Sequence, residues 1–107
     1  MVVLGAAIYM GFPQGEAFNF MNRHYCLSGR RGSDGKPTCR IEAGKKFVPV
    51  FSQGAPDMLA YRSNYEAVTK PFTAWGFDVM DPIVVSGAAG GVKSEVLEKA
   101  NALGKSL

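Results

Sequence analysis

The sequence predicts a single α/β domain over residues 1–107, with a parallel sheet of about three strands flanked by helices. Two observations carry this. Three apolar, β-rich runs alternate with three helix-like segments, and strands separated by helices run parallel through right-handed crossovers. The composition, 47% hydrophobic and 20% charged, suits one soluble domain around one core.

The first strand is read at Val2–Ala6 and the second at Phe47–Ser52. Both are nearly continuous in apolar character, as strands buried on both faces are. The third run, Phe77–Ser86, passes through Asp78, Asp81 and Pro82, which predicts an interrupted or edge strand. A first helix should follow the Phe12-Pro13-Gln14-Gly15 turn and run from Glu16 to Tyr25. The second helix has the clearest periodicity. Met58, Tyr61, Tyr65, Val68, Phe72 and Trp75 recur at alternating steps of three and four and so share one face. Pro56 and Asp57 open it, and Pro71 should kink or divide it. The third helix spans Lys93 to Leu103, with Val96, Ala100 and Leu103 as its inward stripe. From Cys26 to Lys46 the chain is polar and glycine-bearing, and reads as a long loop.

The formal charge is +3. Much of the excess sits in Arg30, Arg31, Lys36, Arg40, Lys45 and Lys46, against Asp34 and Glu42. This segment is either a solvated loop or a docking patch for a phosphate-bearing cofactor or acidic partner. It lacks interleaved aromatics and a binding motif, which argues against nucleic acid. No apolar run approaches the roughly 20 residues of a membrane span. The opening VVLGAA has no basic flank and reads as a strand rather than a signal peptide. A cytoplasmic protein is expected, with Cys26 and Cys39 as free thiols. There is no CxxC spacing and only one histidine, His24, so no metal site is expected. No GxSxG, Walker or GxGxxG motif is present.

In open parallel sheets, ligands bind beyond the C-terminal ends of the strands. The loops there are Ala7–Gly15, Gln53–Pro56 and Gly87–Gly91, each carrying glycine. The first also holds Tyr9, Met10 and Phe12. These side chains either offer stacking faces to a flat aromatic ligand or pack under the adjacent helix, and composition leaves both readings open.

The segment GAAIYMGFPQGEAFNFMNR, Gly5 to Arg23, resembles the third strand, flavin loop and following helix of NAD(P)H-dependent FMN reductases and related flavodoxin-like flavoproteins. That family's pattern is approximately G-[ST]-P-x-Y-[aromatic]-G-x-x-[ST]-x-x-x-K-x-F-x-D-R, and Gly5, Tyr9, Gly11, Phe20 and Arg23 fall in register with it. Ala6 and Ala7 replace its Ser/Thr-Pro, Phe18 its Lys and Asn22 its Asp. Further on, GKKFVPVFSQGA looks like the fourth strand and second flavin-side loop, AWGFDVMDPIVVSG like the fifth strand, and LEKANALGKSL like the closing helix.

The resemblance implies a partial flavodoxin-like sheet that binds FMN. Ala7, Ile8, Tyr9, Met10 and Gly11 would lie against the isoalloxazine ring, and Ser52, Gln53 and Gly54 would approach it from the second loop. NAD(P)H would be the electron donor, and no residue is assigned a catalytic role, because the flavin carries the redox chemistry. In the family the phosphate-cradling loop lies upstream of this region, so the domain reads as truncated at its N-terminus. The first strand would then be an exposed edge, which predicts a homo-oligomer sealed there, or a fragment of a longer protein. The alternative function is a non-catalytic α/β interaction or assembly module that keeps the fold without binding flavin.

Overall fold

The computed structural model describes residues 1–28, 30, 31 and 33–107. Its elements are β1 (Val2–Tyr9), β2 (Phe12–Pro13), α1 (Gly15–Ser28), β3 (Arg30–Arg31), β4 (Pro37–Thr38), β5 (Lys46–Ser52), α2 (Arg62–Ala74), β6 (Asp78–Val79), β7 (Ile83–Val85) and α3 (Ser94–Ser106). The fold class is the expected one, a mostly parallel α/β arrangement. β5 is central, paired in parallel with β1 on one edge and with both β6 and β7 on the other. Those three parallel positions are compatible with the partial flavodoxin-like sheet read from the sequence.

The third strand is interrupted, and two prolines show why. β6 pairs with β5 at Lys46 and Phe47, and β7 resumes the pairing at Val50. The gap between them falls opposite Val48 and Pro49. Pro49 has no N–H to donate, and Pro82 sits at the matching break in the partner strand. A proline buried in a central strand is thereby accommodated without an orphaned donor.

The main core cluster lies on one face of the sheet, while Val48 and Ile83 are buried on the other. Leu4, Ala6 and Ile8 of β1, Phe47 and Phe51 of β5 and Val84 of β7 pack against Ala17 of α1 and Tyr65, Val68 and Phe72 of α2. Phe72 is fully buried and stacks on Phe47, their ring centroids 3.8 Å apart. The helical face read from periodicity is therefore the buried one at Tyr65, Val68 and Phe72. Its first residue differs: Met58 stands half-exposed in the turn before α2, which begins only at Arg62. Pro71 lies inside α2 without dividing it. The carbonyl one turn earlier, on Ala67, loses its backbone donor at a solvent-exposed residue.

β1 departs from the continuous burial its composition suggests. Its burial alternates, with Leu4, Ala6 and Ile8 inside and Val3 57% exposed. The helices α1 and α2 both cover the same face, so an apolar strand is left half-uncovered. In α3, Val96, Ala100 and Leu103 are its only partly buried residues, which is the stripe expected from sequence.

α1 runs on to Ser28, past the expected end at Tyr25 and into the segment read as loop from Cys26. The polar stretch after it carries a short antiparallel hairpin, β3–β4, rather than loop throughout. Cys39 is a free, partly buried thiol, while the side chain of Cys26 lies outside the described residues. Among the described residues, no helix is long and apolar enough to cross a membrane, and no group of three or more His, Cys, Asp or Glu could hold a metal ion.

Candidate functional site

The C-terminal ends of β1, β5 and β7 meet at one end of the sheet. Parallel register sets Ala7 opposite Ser52 and Ser52 opposite Val85. Ala7, Ile8 and Tyr9, expected in a loop, continue β1 as strand, because β1 pairs with β5 as far as Ala7 and with β2 at Ile8 and Tyr9. The two strand ends, separated by more than forty residues in sequence, are thus neighbours. On the face away from α1 and α2, Gly5, Ala7, Val50, Ser52 and Val85 line a shallow hollow of about 300 Å³.

β1 turns back into β2 through a two-residue hairpin, Met10-Gly11, with Tyr9 paired to Phe12. Both turn residues have positive φ, 52° at Met10 and 85° at Gly11, the geometry that matches the twist of a tight hairpin. Glycine takes this without cost, whereas a methionine is strained there. Met10 is 96% exposed and Tyr9 66% exposed. The hairpin tip is nonetheless held. The Asn64 amide of α2 donates to the Gly11 carbonyl, and a Cβ on Gly11 would stand 3.3 Å from Asn64 Nδ2 and 3.5 Å from the Tyr61 ring.

The second loop is fixed from inside. Gln53 is 1% exposed. Its Nε2 donates to the carbonyls of Ala55 at 3.0 Å and Asp57 at 2.6 Å, and its Oε1 accepts from the buried Tyr65 hydroxyl. Burial, with a further contribution from Tyr61, pushes the Tyr65 phenol above its ordinary 10.0, so it stays a donor throughout the physiological range. The third loop is laced to the second: Gln53 N donates to Val85 O, Gly87 N to Ala55 O and Ala88 N to Gln53 O. The segment Ala88–Gly90 closes as a single 3-10 turn, with the amides of Gly90 and Gly91 donating to Gly87 and Ala88.

The eight residues named from sequence therefore fall into two groups. Tyr9, Met10 and Gly54 are exposed, and Ala7 and Ser52 partly so, all at the strand ends. Ile8 and Gln53 are buried with their side chains committed to the interior, and Gly11 is buried against α2. Sequence reasoning missed Asn64 and the Tyr65 hydroxyl as the groups that fix the loops. Tyr65 was legible only as a member of an apolar stripe, and nothing in the spacing signals what its hydroxyl reaches.

The surface supplies an aromatic face at Tyr9, a soft thioether at Met10 and a low floor at Ala7 and Ser52, which fit one side of a flat ring. A phosphate fits less well. The amides of Gln53, Gly87 and Ala88 are consumed between loops, and the first turns of α1 and α3 carry Glu16 and Glu95, which oppose an anion. A larger hollow of about 400 Å³ opens elsewhere, between α2 and α3, floored by Met58, Tyr65 and Val84. None of the eight residues lines it. In comparisons with known proteins, the chain matches no family model, no curated protein and no solved structure.

Proposed function

We propose that this chain is a flavin-binding module of the NAD(P)H-dependent FMN reductase type, holding the ring of FMN at the C-terminal ends of β1 and β5. The observation that carries the reading is the juxtaposition of Ala7 with Ser52 beside an exposed Tyr9. Bound flavin would supply hydride acceptance from a nicotinamide. The chain's own part is orientation. Tyr9 and Met10 offer contact surface, Asn64 holds the hairpin through Gly11, and Gln53 with Tyr65 fixes the second loop. Recognition is thus of the ring, with little purchase on the phosphate.

The second reading, a non-catalytic interaction module, is favoured by the inward commitment of Ile8 and Gln53. The two separate on titration of FMN with the purified chain. The flavin reading expects quenching of FMN fluorescence and a shifted visible spectrum. It also expects Tyr9→Ala to weaken binding at least tenfold without lowering Tm, because Tyr9 is exposed. Unquenched FMN at tens of micromolar protein leaves the interaction module.

A further inference from the structure

The free edge of β1 carries an inference independent of any cofactor. β5 fills one edge of β1 from Val2 to Ala7. On the other edge, β2 pairs only with Ile8 and Tyr9. Backbone groups along a strand alternate between its two edges. Tyr9 pairs toward β2, and the Ala7 carbonyl accepts from Gln14 N at 3.0 Å on that side. By alternation, Val3 and Gly5 point their N–H and C=O groups to the same edge, where no described strand meets them.

Strand edges of this kind are ordinarily protected by a charge, a proline or a bulge. The run Val2–Ala7 has none of them. It is also self-complementary. In an antiparallel pairing about a two-fold axis at Leu4, Val3 of one protomer lies opposite the partner's Gly5, and Leu4 opposite the partner's Leu4. Each Val3–Gly5 pair exchanges two N–H···O=C bonds, drawn from groups this chain leaves unpaired. Opposed residues share a face, so Val3 on the uncovered face meets a position without a side chain. An added Cβ at Gly5 has nothing within 4 Å, which leaves room for it. Leu4 joins its counterpart on the helix-covered face and extends the core across the axis. With no charge in the strand, self-pairing meets no like-charge repulsion.

We infer that this chain forms a two-fold dimer by antiparallel pairing of β1 with β1 of a second copy, through the backbones of Val3 and Gly5. The six parallel-strand positions and the two uncovered faces then become continuous.

Light scattering after size exclusion is expected to give about twice the 11.5 kDa chain mass, and Gly5→Pro to return it to one chain mass. Proline removes the edge-facing donor while leaving the β5 side of β1 intact. Should Gly5→Pro fail to fold by circular dichroism, amide exchange on the unmodified protein decides. The amides of Val3 and Gly5 are expected to exchange several-fold more slowly at high than at low protein concentration. A monomer at hundreds of micromolar overturns the proposal. A folded Gly5→Pro variant that stays dimeric, or Val3 and Gly5 exchange that ignores concentration, does so as well.

Discussion

Met10 is the only non-glycine residue with positive φ among those described, and its side chain touches almost nothing. Its conformation is set by the hairpin, whose two-residue turn favours Asn-Gly. Met10→Asn is therefore expected to raise stability by about 0.5–1 kcal/mol, read as a higher Tm, because asparagine tolerates the left-handed region better. Gln53 is the opposite case, a polar side chain wholly inside. Tyr65→Phe removes the hydroxyl that Gln53 Oε1 accepts from and should cost about 1–3 kcal/mol, the range for a buried acceptor left unmade. The Tyr65 phenol also titrates higher folded than unfolded, so the folded state holds its proton more tightly. Its contribution is complete below the ordinary 10.0 and is lost as pH rises above it. Stability measured from pH 9 upward should fall more steeply in the parent than in Tyr65→Phe. Little of this was legible in the sequence. A glutamine after a strand in a glycine-bearing loop gives no sign of facing inward, since its partner lies twelve residues away on a helix whose placement is tertiary.

The elements were more legible, because periodicity reports which side of a helix is wet. The stripe through Tyr65, Val68 and Phe72 is the buried face of α2. Phe72 contacts Phe47, Trp75 and Phe77 as well as Phe20, so Phe72→Ala is expected to cost about 3–5 kcal/mol in urea denaturation. That is a large part of the roughly 5–15 kcal/mol of a whole domain, whereas the exposed Leu97→Ala in α3 should cost well under 1 kcal/mol. α2 starts about a turn later than Pro56 and Asp57 suggest, since these residues open turns rather than the helix itself. The break in the third strand was legible from Pro82, but the role of Pro49 needed the pairing register. β1 reads as doubly buried because composition cannot say how many faces a sheet has covered.

At the scale of the molecule, alternation of apolar runs and helices was enough to give a parallel sheet, since crossovers leave few alternatives, while the central place of β5, between β1 and the broken strand β6–β7, emerges only from the pairing. What alternation cannot convey is shape. The Cα radius of gyration is 15.1 Å, against about 13 Å for a compact chain this long, and the shortest extent is 19 Å. α1 and α2 cover one face, and the other stays open at Val3, Gly5, Ala7 and Ser52. That openness leaves the strand ends accessible to a ring and offers the phosphate few donors. The most direct test is therefore a paired NMR titration with FMN and with riboflavin, which lacks the phosphate. If the ring is what this chain recognises, shifts centre on Ala7–Gly11 and Ser52–Gly54, and the affinities for the two ligands agree within a few-fold. Shifts elsewhere, or no binding of either ligand, would contradict ring recognition.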